Sequence, residues 1–273
     1  MAESMSGVVL ITGGSSGLGR SVGIYLQQKG FQVYGTSRDP KKVTDSEFPL
    51  VPMDVRSPES ILAGVTEILK TSGRIDVLIN NAGVGITGPL EETPQDAIHN
   101  AFQTNVYGPI EVTKAVLPTM REQGSGMIIN VTSIAGFMGL PFRGVYSASK
   151  GALELITEAW RMELAAFGIS MTNLAPGDFA TNIAAGRFHA PLMDGSPYHK
   201  TYGESLQLMN DHVDQGMDPE IMAKAVYGII KKNNPKVGYR VGSGLQKFSI
   251  VLKKLLPGKV YEKLLMKHYR LDR

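Results

Sequence analysis

Val8-Val9-Leu10-Ile11-Thr12-Gly13-Gly14-Ser15-Ser16-Gly17-Leu18-Gly19 carries the strongest structural signal in the chain. Four aliphatic residues read as a strand buried on both faces, and a pattern of helical period opens at Gly17 and runs to Lys29. Between them lies a glycine-rich turn. Missing Cβ atoms let the backbone turn tightly and approach a diphosphate, while the unpaired N–H groups and positive end of the following helix favour an anion. A strand followed by such a turn and then a helix is far more specific than the glycines alone. Thr12, Gly13, Ser15, Ser16, Gly17, Leu18 and Gly19 are therefore expected to cradle the phosphates of a dinucleotide.

Outward from this unit the same alternation repeats. Apolar, β-branched runs occur at Gln32 to Thr36, Leu50 to Pro52, Val77 to Asn80, Met127 to Thr132, Ser170 to Ala175 and Gly238 to Val241. Helical stretches lie at Pro58 to Thr71, Pro94 to Arg121, Ala148 to Phe167 and Pro219 to Lys232, with Pro58, Pro94 and Pro219 at helix starts. The rhythm predicts an α/β fold: a single Rossmann-type doubly wound domain with a seven-stranded parallel sheet flanked by helices. No repeat or linker divides the 273 residues. The stretch 177–216 mixes Phe, Tyr, Leu and Met with Gly, Pro and His without a clear period, and is read as a substrate lid.

Hydrophobic residues make up 42% and charged residues 19%, a balance that excludes a disordered chain. The net charge of +3 is local, because Lys247 to Arg273 holds eight basic and two acidic side chains. With no zinc-finger spacing and no RNA-binding motif, nucleic acid is not an expected partner. Cysteine is absent, the first apolar run is too short for a signal core or a membrane span, and a cytoplasmic location is the expectation. The sequon at Asn130 falls in a buried strand and is set aside. His99, His189, His199, His212 and His268 show no ligand spacing, so no metal is expected.

At the end of the second strand, where a carboxylate would accept hydrogen bonds from the ribose of NAD(H), stand Thr36, Ser37 and Arg38. Ser37 leaves room for a 2′-phosphate and Arg38 offers it a guanidinium, so NADP(H) is favoured over NAD(H), with Asp39 next door as the opposing feature. Tyr146 and Lys150 lie four residues apart at the start of a helix, on one face. A free phenol has a pKa of about 10, and a nearby ammonium favours the phenolate, as proton exchange with a carbonyl or alcohol oxygen requires.

These motifs, with Asp54-Val55 after the third strand, Asn80-Asn81-Ala82-Gly83, Asn105, Ser133 and Pro176-Gly177, occur in an order that resembles the short-chain dehydrogenase/reductase family over nearly the whole chain. The hydroxysteroid and retinol members are the most similar in kind. The resemblance implies that Tyr146 is the proton donor or acceptor and that Lys150 binds the nicotinamide ribose and lowers the tyrosine pKa. Ser133 would hydrogen-bond the substrate oxygen and Asn105 would hold a relay water. Asn105 also suits a helix bend whose backbone groups it satisfies. By the same resemblance Asp54, Val55, Asn81, Ala82, Gly83, Pro176, Gly177 and Thr181 contact the cofactor, although a turn-forming role explains Asp54 too. Asp178 departs from the family's pattern in this loop.

The implied activity is interconversion of a carbonyl and an alcohol on a small, lipophilic molecule of steroid, retinoid or lipid size. Val84, Ile86, Ile134, Phe137, Met138, Pro141, Phe142, Phe179, Ile183, Phe188, Leu192 and Met193 are the expected apolar lining. Arg143, Arg187 and His189 are available to one polar group. A catalytically silent NADP(H)-sensing module and a sugar-nucleotide epimerase or dehydratase are the alternatives. The intact Asn105, Ser133, Tyr146 and Lys150 set disfavours the first, the chain length and glycine spacing the second. Leu252, Leu255, Leu256, Val260, Leu264 and Leu265 among lysines predict a basic amphipathic helix within 245–273, expected to pack on its own domain in preference to a membrane surface. Pairing of the long helices into a homodimer or homotetramer is implied by the resemblance alone.

Overall fold

A computed structural model describes residues 7–180, 186–214 and 216–271. Seven strands form one parallel sheet in the order β3 (Leu50–Pro52), β2 (Gln32–Ser37), β1 (Val8–Ile11), β4 (Val77–Asn80), β6 (Gly126–Val131), β7 (Ile169–Pro176) and β9 (Gly238–Val241). The numbering falls on one side of β1 and rises on the other. The order therefore reverses between β1 and β4, which opens a crevice at their carboxyl ends where such sheets bind ligands. A parallel pair, β5 (Ile86–Thr87) with β8 (Phe188–His189), stands apart from the main sheet.

The strand period sorts the core into two layers. Val8 and Leu10 of β1 join Leu78, Ile128 and Met171 against α2 (Pro58–Ser72) and α4 (Gly108–Gln123). Val9 and Ile11 join Ile79, Ile129 and Leu174 on the opposite face, against α1 (Gly17–Gln28) and α7 (Pro219–Ile230). Each layer removes an apolar stripe of its helices from water. Local signals set the helix ends: Ser57 Oγ accepts from Ser60 N at 3.2 Å with Pro58 next in the first turn of α2, and Gly73 closes that helix at φ 71°.

Three elements differ from the sequence expectation. The helix expected from Pro94 to Arg121 is two helices, α3 (Gln95–Phe102) and α4, joined by a π-helical turn at Gln103–Tyr107 in which Gly108 N–H donates to Gln103 O, five residues back. Pro109 follows, and its missing N–H leaves the Asn105 carbonyl without the usual helical donor. The lid segment is not irregular throughout, since it contributes β8 and α6 (His199–Asp214). The inward side chains of α6 include Tyr202, Ser205 and Met209, a mixture that shows no apolar period. The C-terminal helix is likewise two, α8 (Gly244–Leu255) and α9 (Gly258–His268), parted at Pro257. They pack on the domain through Ile250 and Tyr261, which join Ile134 and Met138. Among the described residues, no helix is long and apolar enough to cross a membrane.

Candidate active site

The carboxyl ends of β1 and β4 are tied together by Thr12 and Asn81. Thr12 Oγ1 accepts from the backbone N–H groups of Asn81 and Ala82, both at 3.0 Å, and Asn81 Nδ2 donates to Thr12 O and Gly13 O at 3.0 and 3.2 Å. The turn they hold is one that side chains would block. Gly13 and Gly17 adopt φ of +65° and +53°, and a Cβ on Gly14 would lie 2.7 Å from Gly35 Cα. Ser16 precedes α1 without capping it through its side chain, and no acidic residue stands in the first turn. The helix thus presents uncompensated N–H groups to the crevice, a donor set that fits a diphosphate.

At the end of β2, Ser37 Oγ accepts from Asp39 N at 3.3 Å, and the Asp39 carboxylate pairs with Lys42 at 3.1 Å. Arg38 is exposed. The Asp54 carboxylate receives Arg56 Nη2 at 2.6 Å and Arg56 N at 3.0 Å, so it builds the turn before α2. The hydrogen bonds from Arg56, assisted by the charge of Arg38, hold its carboxyl below the usual range. Arg56, which nothing in its sequence context marked, also reaches Asn100 Oδ1 at 2.9 Å.

Tyr146 and Lys150 are both carried by α5 (Gly144–Leu164), and Tyr146 stands in its first turn, at the helix start expected for it. Lys150 is 5% exposed, and its ammonium donates to Val131 O at 3.0 Å. Burial lowers its pKa, against the opposing fields of Tyr146 and Glu154. Asn105 is wholly buried within the π turn, where Oδ1 accepts from Val84 N at 2.8 Å while Nδ2 donates to Val84 O at 2.9 Å and to Ser149 Oγ at 3.1 Å. A Cβ on Gly83 would approach Asn105 Oδ1 to 3.2 Å and Lys150 Nζ to 3.3 Å, so the three converge. Ser133 Oγ accepts from Ala135 N at 3.1 Å, leaving its O–H available to donate.

Tyr146 and Ser133 open into one depression, shared with Leu18 of the glycine turn, Pro176, Gly177 and Asp178. Its lining is less apolar than expected. Ile86 and Phe179 take part, together with Thr87, Arg143 and Arg187. Ile134 and Met138 are instead buried beneath α8 and α9, and Phe137 lies under the Arg240 guanidinium at 4.9 Å. Phe142 stacks with Tyr202 at 5.3 Å, while Phe188, Leu192 and Met193 are exposed. Thr181 and Ile183 lie outside the described residues. Among the described residues no cluster of potential metal ligands occurs. The sequon residue Asn130 is buried and accepts from Asn80 Nδ2 at 2.8 Å.

Known proteins share this fold and much of this sequence. A family model described as short chain dehydrogenase matches residues 7–191. The chain is 38% identical over 251 residues to the 3-ketodihydrosphingosine reductase of Bacteroides thetaiotaomicron, covering 92% of this chain and 93% of that protein. It is 31% identical over 252 residues to human 17-beta-hydroxysteroid dehydrogenase type 1, covering 85% and 76%. The crystal structure of a short-chain dehydrogenase from Streptomyces avermitilis superposes with a TM-score of 0.79 at 30% identity, covering 97% of each chain. On fold, motifs and relatives together, the chain belongs to the short-chain dehydrogenase/reductase family of oxidoreductases.

Proposed function

We propose that the protein interconverts a carbonyl and an alcohol on a small, lipophilic molecule, using NADP(H) in preference to NAD(H). One observation carries this reading: the depression holding Tyr146 and Ser133 also contains Leu18 of the glycine turn, so nucleotide and substrate would meet beside the phenol. When bound, the reduced nicotinamide supplies the hydride. Tyr146 gives its hydroxyl proton to the emerging alkoxide, and Ser133 donates a hydrogen bond to the same oxygen. Lys150, one helical turn along and stripped of water, favours the phenolate left behind. The Asn105 carbonyl, freed by Pro109, accepts from a water that returns the proton from bulk solvent.

Support for NADP(H) comes from two cations at the adenosine end, Arg38 and Arg56, and from Ser37 standing where NAD-binding relatives of the fold place a carboxylate. Support for a lipophilic substrate comes from the names of the two relatives, one acting on a ketosphingoid base and the other on a steroid. The exposed Leu155 and Met162 on α5 support association into a homodimer or larger homo-oligomer. The basic C-terminal helices remain a weaker reading as a peripheral membrane contact, resting on exposed Leu245, Phe248 and Leu255.

The test is turnover of a panel of lipophilic ketones and aldehydes with NADPH and with NADH. The expected result is reduction with NADPH preferred, loss of that preference by at least tenfold in Arg38→Ala, and Tyr146→Phe binding NADPH with turnover down at least a thousandfold. Near-normal turnover in Tyr146→Phe removes the phenol as acid. Nucleotide binding without turnover of any carbonyl would favour a sensing module.

A further inference from the structure

Two guanidiniums flank the catalytic phenol. Arg143, next before α5, lies over the Tyr146 ring at 5.4 Å. Arg187 comes from the other wall, and its place is fixed by the small sheet. Phe188 N donates to Gly85 O at 2.9 Å and Ala190 N to Thr87 O at 2.9 Å, which docks β8 on β5. Gly85 in turn has no side chain to obstruct Arg187, since a Cβ there would meet Arg187 Cγ at 2.9 Å. Val84, the neighbour of Gly85, is the residue that Asn105 grips, so Arg187 is held in register with the catalytic cluster.

The electrostatics of the pair are incomplete. Arg187 Nη1 is buried and has no hydrogen-bond partner among the described residues. Burial and the charge of Arg143 both push the Arg187 pKa down, whereas Tyr146, Asp178 and Tyr202 pull the other way. Asp178, the carboxylate that shares the depression, acts on Arg187 through its charge without hydrogen-bonding it, and its Oδ2 accepts from Gln246 Nε2 at 2.7 Å. A buried N–H of a cation without an acceptor is costly, and a planar fork beside a second guanidinium suits a carboxylate or phosphate. The N–H groups of the glycine turn, which borders the same depression at Leu18, would receive the diphosphate of the cofactor, whereas Arg187 stands beside Gly85, so the missing anion is assigned to the substrate.

We propose that Arg187 and Arg143 form an anion-binding subsite beside Tyr146, so that the substrate is an amphiphile carrying a carboxylate or phosphate close to its reacting carbonyl or hydroxyl carbon. This deepens the oxidoreductase reading and rests on it for the word substrate, but binding at the subsite does not need turnover. Cationic amphiphiles should be rejected there, and neutral ones held only by their apolar tails.

The experiment is calorimetric titration of the full chain, with and without NADP⁺, using decanoate, decyl phosphate, decanol and decylamine as probes. At least one anion should bind ten times more tightly than decanol, with decylamine weakest. Arg187→Met should remove ten times or more of the anion affinity and leave decanol unchanged, while Arg187→Lys restores part of it. Circular dichroism and decanol binding verify that the variants fold. Comparing the two anions assigns the subsite to carboxylate or phosphate. Equal affinity for decanoate, decyl phosphate and decanol, or anion binding indifferent to Arg187→Met, overturns the proposal. Selective anion binding in a protein that reduces no carbonyl would instead sink the oxidoreductase reading and leave the subsite standing.

Discussion

Glu154 carries its carboxyl into the interior one helical turn beyond Lys150. Its neighbour Leu155 faces solvent at 68% exposure, the reverse of what the two residue types suggest. The inward face of α5 is set by Lys150, Leu153 and Thr157, and Glu154 shares it. Thr132 Oγ1 donates to the carboxyl, and Asn173 Nδ2 donates to the Glu154 backbone carbonyl at 3.2 Å. Asn173 pairs with Asn130 on β6, and Asn130 with Asn80 on β4, so a row of amides crosses three strands. Burial is the main cause of a raised Glu154 pKa. A raised carboxyl holds its proton more tightly in the folded state. Its contribution is then present below the unfolded pKa of about 4.3 and is lost as pH rises through the folded value. Glu154→Gln has no proton to lose. Thermal melts should therefore show little difference from wild type near about pH 4 and a more stable variant at about pH 8, by roughly 2–4 °C for each kcal/mol recovered. A gap that stays constant across that range would rule out titration of Glu154.

Among the elements, the π turn joins sequence to chemistry most directly. Its extra residue lets Asn105 turn inward and satisfy both backbone groups of Val84, and Pro109 keeps the turn open. Pro109→Ala returns an N–H able to reach the Asn105 carbonyl and close an ordinary α-helical turn. The variant should fold with an equal or higher Tm, because proline is the poorer helix former, while kcat falls tenfold or more with KM for the nucleotide little changed. An unaltered kcat would show that contacts other than the proline hold the turn. Most strands and helices were legible because burial on two faces leaves continuous apolar runs and the helices carry one apolar stripe. A bend at Asn105 was legible, but not its form as a π turn that divides the helix in two, of which Pro109 four residues on was the visible sign. Helix α6 escaped because Tyr202 is buried with its hydroxyl bonded to Thr87, and Ser205 sits inward beside it, so packing there has no hydrophobic period.

At the scale of the molecule, the order of motifs announced the family, and the sheet reversal between β1 and β4 follows from it. The polar character of the depression beside Tyr146 was hidden, because Arg143 and Arg187 are 44 positions apart in the chain and line it together only when β8 docks on β5. Leu155 and Met162, exposed at 68% and 74% and seven residues apart, form a stripe on the helix that carries Tyr146. If this stripe is where copies meet, light scattering should report a multiple of the 29.5 kDa chain mass, and Leu155→Arg with Met162→Arg should reduce it to that mass. A double variant of unchanged size would move the interface elsewhere.

The cap of α8 has a practical consequence. Gln246 closes that cap on Ser243, bonds Asp178 and fills the space over Gly177, where a Cβ would fall 2.0 Å from its Oε1. Through Gln246 the helix α8 is thus fastened to the Gly177–Asp178 wall of the pocket, and a change at that one side chain is felt beside Tyr146.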